Sequence, residues 1–194
     1  MLYIVSTPIG TLEDITLRAL KTLREADIIA AEDTRHTGIL LKKYNINKPL
    51  LSFHSHSPES QLQKLLALLA EGKNLALVSD AGTPGISDPG YLLIKNAVEK
   101  KLSVMSIPGP SAATAAVVAS GLPCHKFLYL GYLPLKKGRK KIIDSFTANP
   151  YTIIFYESPH RLLRTLHEIA AAIPDRSIAV CRELTKIFEE IFRG

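Results

Sequence analysis

Short apolar runs alternate along the chain with longer amphipathic stretches, and this alternation defines the predicted elements. The run Leu75–Val78 contains no polar residue, which is typical of a strand buried on both faces of a parallel sheet. Leucines at 62, 65, 66 and 69 recur at helical spacing and predict a helix with one apolar face. Strands that alternate with helices favour an α/β fold with a mostly parallel sheet.

The same reading along the whole chain predicts strands and helices in turn. Strands are predicted at 2–5, 27–31, 50–53, 75–78, 104–107, 127–130, 152–156 and 178–181, and helices through 17–23, 58–71, 91–100, 112–120, 142–146 and 159–172. The pattern restarts near Gly121-Leu122-Pro123. We therefore expect an N-terminal α/β domain over 1–120 and a C-terminal α/β domain over 121–194.

The stretch after the strand at 75–78 is the most informative loop. Residues 79–90 read SDAGTPGISDPG, about a dozen residues where a βα connection usually needs about two to six. Loops at the carboxyl ends of strands are where open α/β sheets bind ligands. The stretch matches neither of the glycine patterns that bind nucleotide phosphates, GxxxxGK[ST] and GxGxxG, and it carries Asp80 and Asp88. A cationic or hydroxyl-bearing ligand therefore suits it better than a phosphate. An ordinary βα turn is the alternative.

Polar groups follow several other strands. They occur at 6–10, 32–36, 157–161 and 182–186, where solvent or a substrate has to satisfy them. The group at 32–36 suits the solvated start of a helix equally well. Ser111 stands where a helix-capping hydroxyl or a ligand contact belongs, although close packing of the small residues after it is an equal alternative. His54 and His56 lack further ligands nearby, and we predict no metal site.

Composition narrows the setting and the partners. The chain has 194 residues, with 24 basic and 18 acidic side chains and a net charge of +6, which permits an anionic partner without requiring one. Cys124 and Cys181 form no CxxC pair, which favours a reduced, cytoplasmic setting. No apolar run approaches the roughly 20 residues of a membrane span, so no membrane association is expected. The cluster KKGRKK at 136–141 is the strongest nucleic-acid footprint, with a merely solvated face as the alternative.

Five strings, followed by CRELTKIFEE, together resemble one known family. They are STPIGTLEDITLRAL, AEDTRHTGILLKKY, VSDAGTPGISDPG, SIPGPSAATAAVVASGLP and YESPHRLLRTL. In this order they are similar to the ribosomal RNA small subunit methyltransferase I family, within the tetrapyrrole-methylase superfamily. The resemblance implies a two-domain class III methyltransferase fold, with a mostly parallel N-terminal sheet and a mixed C-terminal sheet. It also implies a homodimer that uses S-adenosyl-L-methionine (AdoMet) to methylate the ribose 2′-hydroxyl of a cytidine in small-subunit (16S) ribosomal RNA, either free or in the small ribosomal subunit.

The resemblance also implies a set of cofactor contacts. These are Pro8, Asp80, Ala81, Gly82, Thr83, Ser111, Ala112, Tyr156, Glu157 and Ser158. Family chains run on beyond an EExxRG-like segment, so we expect this chain to lack a C-terminal subdomain.

A ribose hydroxyl is a poor nucleophile until its proton is removed or polarised, so a carboxylate or histidine at a strand exit is expected to act as general base. The candidates are Glu157 and Asp33 first, then His160 and Glu183. Phosphate contacts are expected from basic side chains. These are Arg35, Lys136, Lys137, Arg139, Lys140, Lys141, Arg161 and Lys186.

Two other functions remain open. A tetrapyrrole methylase of the precorrin or uroporphyrinogen type shares the fold and the cofactor, but it needs a large macrocycle cleft. A noncatalytic RNA-binding module needs the basic surface but not the loop around Asp80 and Thr83. The basic cluster and the string AEDTRH favour RNA over a macrocycle.

Overall fold

A computed structural model describes residues 1–194 as two compact units, Met1–Ser111 and Ala112–Gly194. The first unit contains one parallel sheet in the order β3-β2-β4-β1-β5. Its strands are β1 (Leu2–Val5), β2 (Ile28–Ala31), β3 (Leu50–Ser52), β4 (Leu75–Val78) and β5 (Val104–Ile107). The predicted α/β class and the parallel N-terminal sheet are confirmed.

Four helices connect these strands. They are α1 (Leu17–Glu25), α2 (Thr34–Lys43), α3 (Glu59–Ala70) and α4 (Tyr91–Glu99), with a 3₁₀ turn at Leu12–Asp14. Thr16 caps α1, because its hydroxyl accepts from the Ala19 amide at 3.0 Å. Asp33 caps α2 by accepting from the Arg35 amide at 2.8 Å. The helical alternative for the polar group at 32–36 is thus confirmed.

Strand β4 lies in the middle of the sheet and is buried along its whole length. Its side chains alternate between two apolar clusters. Ala76 and Val78 pack in the cluster that contains Leu23 of α1. Leu75 and Leu77 pack with residues of α3 and α4, such as Leu65 and Leu93. Burial on both faces explains why this strand has no polar alternation in the sequence.

The second unit contains three helices and two separate strand pairs. Its elements are α5 (Ala112–Ser120), β6 (Phe127–Tyr132), α6 (Arg139–Asp144), β7 (Thr152–Tyr156), α7 (Leu162–Ala172), β8 (Ala179–Arg182) and β9 (Glu190–Arg193), with a 3₁₀ turn at Pro159–Arg161 before α7. Strands β6 and β7 are parallel, whereas β8 and β9 are antiparallel. The sequence did not predict β9, since this short strand is mostly exposed.

Helix α5 belongs to the second unit, whereas the restart of the pattern near Gly121 predicted it in the N-terminal domain. It contacts β7, β8 and β9. Arg193 of β9 supplies hydrogen bonds to the last carbonyl groups of the helix, since its guanidinium donates to Ala119 O at 2.6 Å and to Ser120 O at 3.0 Å. The partner of this helix end is thus a residue more than 70 positions later in the chain, which local sequence reasoning does not reveal. None of the helices has the length and apolar character needed to cross a lipid bilayer.

Candidate active site

The exits of β1 and β4 are joined by hydrogen bonds between Thr7 and the predicted loop. The backbones of Thr7 and Gly82 exchange two hydrogen bonds of 2.8 and 3.0 Å. The Thr7 hydroxyl donates to Ser79 O at 3.0 Å, and the hydroxyls of Ser6 and Thr83 lie 2.7 Å apart. The loop that begins at Ser79 is therefore held in one conformation by the residues that follow β1. Ser6 and Thr7 were absent from the predicted site, although the string STPIG pointed to this exit.

The exit of β5 packs against the same place through Gly109. A Cβ atom at Gly109 would come within 2.9 Å of the Ser6 Cβ atom, which is closer than packed atoms tolerate. The Ser6 amide also donates to Ile107 O at 3.2 Å. Three neighbouring strand exits are thus in close contact, and only glycine fits at the contact.

Two carboxylates connect the exits of β2 and β4 reciprocally. The Asp33 amide donates to Asp80 Oδ1 at 3.1 Å, and the Asp80 amide donates to Glu32 Oε2 at 3.3 Å. Each loop therefore supplies the acceptor for the other loop's backbone. Glu32 was not a predicted site residue, although it stands in the string AEDTRH, and only its pairing with Asp80 identifies its role.

Asp88 is a third carboxyl group in this region, and it was not a predicted site residue either. Burial, followed by the negative charge of Glu32 and to a smaller extent that of Asp80, raises the pKa of Asp88 to about 6 against the opposing effect of a hydrogen bond with Ser79. Asp80 therefore lies in an acidic environment whose charge changes near neutral pH.

A cavity of about 50 Å³ opens beside these strand exits. It is lined by Thr7, Pro8, Ser79 and Asp80 from the strand exits and by His36 and Leu40 of α2, among others. Pro8 and Asp80, two of the predicted cofactor contacts, thus share one cavity in the first unit.

Asp33 is committed to structural contacts. Besides capping α2, its carboxylate binds the Arg35 guanidinium, with Arg35 Nη2 at 2.6 Å from Oδ2 and Nε at 3.1 Å from Oδ1. The hydrogen bonds from the Arg35 side chain, followed by that from its amide, hold the pKa of Asp33 well below its usual range. A carboxylate with so low a proton affinity is a poor general base. Arg35 shares this pair, although its side chain is largely exposed.

Glu157 lies in a buried network of the second unit. Its Oε1 accepts from Arg161 Nη2 at 2.6 Å and from the Ser158 amide at 2.8 Å. Its Oε2 accepts from Thr165 Oγ1 at 2.7 Å and lies 3.4 Å from Arg139 Nη1. Burial would raise the pKa of Glu157, but the hydrogen bonds from Thr165 and Ser158 and the charges of Arg161 and Arg139 outweigh it and lower the pKa. This geometry disfavours Glu157 as a general base.

Arg139 does not lie on the surface, which corrects its prediction as an RNA contact. It is 5% exposed, and its guanidinium donates to Glu168 Oε2 at 2.7 Å and to Thr165 Oγ1 at 2.6 Å. Its neighbours in the basic cluster remain exposed, namely Lys136, Lys137, Lys140 and Lys141. The cluster therefore has one inward arginine and four outward lysines.

The other predicted residues of the second unit are dispersed. His160 is exposed in the 3₁₀ turn that follows Glu157. Glu183 and Lys186 pair with each other at 3.4 Å on an exposed turn. Ser111 is the last residue of the first unit, and Ala112 is the first residue of the second. No group of three or more His, Cys, Asp or Glu side chains in residues 1–194 is arranged to hold a metal ion.

Comparison with known proteins adds the family context. The model of the tetrapyrrole (corrin/porphyrin) methylases matches residues 1–194. The ribosomal RNA small subunit methyltransferase I of Thermotoga maritima is 52% identical over 193 residues, which are 100% of this chain and 87% of that protein. The protein of the same name from Escherichia coli O157:H7 is 52% identical over 192 residues, which are 98% of this chain and 67% of that protein.

Solved structures of similar fold are more distant in sequence. The methyltransferase CobJ superposes with a TM-score of 0.75 at 21% identity, covering 100% of this chain and 85% of that one. The cobalt precorrin-4 methyltransferase CbiF superposes with a TM-score of 0.72 at 20% identity, covering 100% and 84%. At this identity the likeness concerns the fold alone.

Proposed function

The chain belongs to the tetrapyrrole methylase family and, within it, to the ribosomal RNA small subunit methyltransferase I family, and on this premise we propose that it methylates the ribose 2′-hydroxyl of a cytidine in 16S ribosomal RNA with AdoMet as methyl donor. The observation that carries the proposal is the set of interlocked strand exits around Asp80, in a chain about half identical to its relatives along its whole length. The proposal also includes a homodimer and a cytoplasmic location.

The strand exits of the first unit suit AdoMet chemically. When bound, AdoMet supplies an electrophilic methyl group on a positively charged sulfonium. Asp80 and Glu32 provide negative charge there, and Gly109, which carries no side chain, lets the exit of β5 pack directly against Ser6. Pro8, Asp80, Ala81, Gly82 and Thr83 would hold the cofactor from this unit. Ser111, Ala112, Tyr156, Glu157 and Ser158 are the proposed contacts at the end of the first unit and in the second unit.

Methyl transfer to a hydroxyl is a displacement in which positioning of the two reactants supplies most of the catalysis. Positioning of this kind can lower a barrier by about 7–11 kcal/mol. The chain contributes to it by fixing its loops before any ligand arrives. The double hydrogen bond between Thr7 and Gly82 and the reciprocal bonds between β2 and β4 exits serve this purpose. A fixed loop loses little conformational entropy on binding.

The proton of the attacking hydroxyl needs an acceptor. Asp33 and Glu157 are both saturated by donors and hold their protons weakly. We therefore place His160 first among the four candidates and Glu183 second, because imidazole is the usual proton acceptor near neutral pH and His160 is exposed in the turn that begins two residues after Glu157. Glu183 is already paired with Lys186.

The four outward lysines of the basic cluster are the proposed phosphate contacts. None of these lysines forms an ion pair with a carboxylate, so their positive charge is not neutralised by a neighbouring acid. Arg35, Arg161 and Lys186 are each paired with a carboxylate, so their contribution to RNA binding is smaller. Exposed lysines of this kind give affinity that falls with salt.

Isothermal titration with AdoMet tests the cofactor site. The parent should bind saturably, Asp80→Asn should weaken binding by removing charge while keeping an acceptor for the Asp33 amide, and Asp80→Ala should weaken it further. Thr83→Val should weaken it by removing the hydroxyl bonded to Ser6. Glu71→Gln is the matched control, because Glu71 is an exposed acid near the amino end of β4, at the opposite edge of the sheet.

Methyl transfer to 16S RNA and to small subunits, followed by mapping of 2′-O-methylcytidine, tests the substrate. Label in RNA that depends on the parent and is lost in Asp80→Asn supports the proposal. Methylation of a uroporphyrinogen instead of RNA would contradict it, as would a parent that binds no AdoMet.

A further inference from the structure

Three tyrosines pack together at the carboxyl ends of β6 and β7. The ring of Tyr156 lies 5.5 Å from that of Tyr129 and 5.5 Å from that of Tyr132, measured between centroids, and both contacts are edge-to-face. Tyr132 is opposite Tyr156 in the parallel pairing and is 58% exposed. Much of Tyr132 is therefore exposed to solvent while the Tyr156 ring packs against it.

A backbone irregularity produces this arrangement. Side chains along a regular strand alternate between its faces, so Tyr129 and Tyr132 would point in opposite directions. The pairing of β6 with β7 shifts register between these two residues, and Gly131 adopts a φ of +61°. The bulge brings both rings to Tyr156. Bulges that redirect a side chain are over-represented beside functional sites.

The segment after Tyr132 is anchored to the protein interior and carries positive charge on its exposed side chains. Leu133 is buried, and Pro134 O accepts from Arg139 Nη1 at 3.3 Å. Since Arg139 is itself fixed by Glu168 and Thr165, both ends of the segment between Tyr132 and Arg139 are anchored. Lys136 and Lys137 lie exposed within it, and residues 126–143 include no acidic side chain.

We propose that Tyr132 is a stacking platform for an unpaired nucleobase of the RNA substrate, and that Lys136 and Lys137 bind the phosphates of the same strand. An exposed aromatic ring beside a positive segment is the combination with which proteins bind single-stranded nucleic acid. Stacking needs a base that is not paired, so the recognised RNA is single-stranded at this point. This inference rests on the proposed function and assigns to it a binding residue that the basic cluster alone does not reveal.

An acidic peptide would also be attracted by the two lysines, but it would gain nothing from the ring face of Tyr132. The exposed ring of Tyr132 therefore favours a nucleobase over a peptide. A poly-glutamate peptide tests this alternative. If the peptide competes with RNA for the parent, and if Tyr132→Ala loses as much affinity for the peptide as for RNA, the peptide would be favoured and the proposal overturned.

Fluorescence anisotropy with a labelled hexacytidine RNA tests the platform directly. Tyr132→Ala should weaken binding about 5- to 150-fold, the range expected for one stacked base, whereas Tyr132→Phe should retain it. Tyr151→Ala is the matched control, because Tyr151 is an exposed tyrosine of the same unit at the amino end of β7. The same hexacytidine annealed to a complementary strand should bind equally to the parent and to Tyr132→Ala.

Salt dependence separates the ring from the lysines. Lys136→Ala and Lys137→Ala should each reduce the slope of log affinity against log salt by about 0.7, the value for one phosphate contact on a single strand. Tyr132→Ala should leave this slope unchanged. A reduced slope in Tyr132→Ala would mean that the variant has moved the lysines, and it would overturn the stacking role.

The AdoMet titration distinguishes this inference from the proposed function. The anisotropy measurement needs no methyl transfer, so it tests Tyr132 even if the parent fails to bind AdoMet and the proposed function is refuted. Equal RNA affinity of parent and Tyr132→Ala, with AdoMet binding intact, would overturn the platform alone. Parallel losses of AdoMet and RNA affinity in Tyr132→Ala would also overturn it, because Tyr132 would then only support Tyr156.

Discussion

Arg139 and Glu157 form a buried ion pair in the second unit. Arg139 Nη1 lies 3.4 Å from Glu157 Oε2, and the two side chains are 6% and 5% exposed. The same guanidinium also binds Glu168 and Thr165. The pair connects the start of α6 to the exit of β7, where Ser158 follows. An arginine in a run of lysines thus has a structural role that its neighbours do not share.

Arg139→Met is expected to destabilise the protein by about 3 kcal/mol. Removing one partner of a buried pair leaves the other charge without full compensation, and Glu157 keeps only Arg161 as a cationic partner. Urea unfolding followed by circular dichroism measures the change. Lys140→Met removes the neighbouring, exposed charge and should alter stability by less than about 0.5 kcal/mol. Equal effects of the two substitutions would contradict the buried role of Arg139.

Two glycine substitutions should change stability in opposite directions. Gly109→Ala places a Cβ atom at 2.9 Å from the Ser6 Cβ atom, and overpacking of this kind costs about 1–3 kcal/mol. Gly38→Ala lies inside α2 with no atom within 4 Å of the new Cβ, and it should stabilise by about 0.5–1 kcal/mol. Thermal or urea unfolding of both variants is the measurement. A stabilising Gly109→Ala would show that the three strand exits are not in close contact.

The raised pKa of Asp88 predicts that stability falls as the pH rises from about 4 to 6. The folded protein holds a proton on Asp88 up to about pH 6, against an ordinary value of 3.8. Between these values the folded state binds more protons than the unfolded state, so the free energy of unfolding decreases with pH and then levels off. The lowered pKa values of Asp33 and Glu157 act in the opposite direction and at lower pH.

Asp88→Asn should abolish this decrease and stabilise the protein by about 1–2 kcal/mol at pH 7, a range reduced because Asp88 is only half-buried and solvent screens it. Urea midpoints from pH 5 to 7 measure it, and the exposed Asp175→Asn is the control. A midpoint for the parent that does not change over this range would contradict the raised pKa.

His160 and Glu157 should respond differently to substitution. His160→Ala should lower kcat by about 100-fold or more, the usual contribution of a general base, with AdoMet affinity and unfolding midpoint unchanged. Glu157→Gln should lower the unfolding midpoint, because it leaves Arg139 and Arg161 without a charged acceptor at this point. Single-turnover methylation and urea unfolding separate the two effects. Loss of turnover at unchanged stability in Glu157→Gln would restore the carboxylate as the base.

Much of the fold follows from local pattern. The apolar run Leu75–Val78 predicts the central strand because burial on both faces excludes polar side chains, and the structure confirms it. The helix that begins at Thr34 was one of two alternatives, and Asp33 decides it by capping the helix. The loop from Ser79 was identified by its glycines and prolines, which constrain the backbone wherever they occur.

The assignments that needed the tertiary structure all depend on partners far apart in the chain. Glu32 and Asp80 are 48 positions apart, and their hydrogen bond identifies Glu32 as part of the site. Strand β9 was not predicted because its pairing with β8, rather than its composition, makes it a strand.

The sequence by itself determined the α/β class, the positions of most strands and helices, and the loop around Asp80, since these depend on residues close together in the chain. Only the tertiary structure decided that Arg139 turns inward while the lysines beside it face solvent, and that a bulge places Tyr132 against Tyr156. Residue type gives the charge or the ring, but burial and partners come from the packing of distant segments, and these determine what each side chain can do.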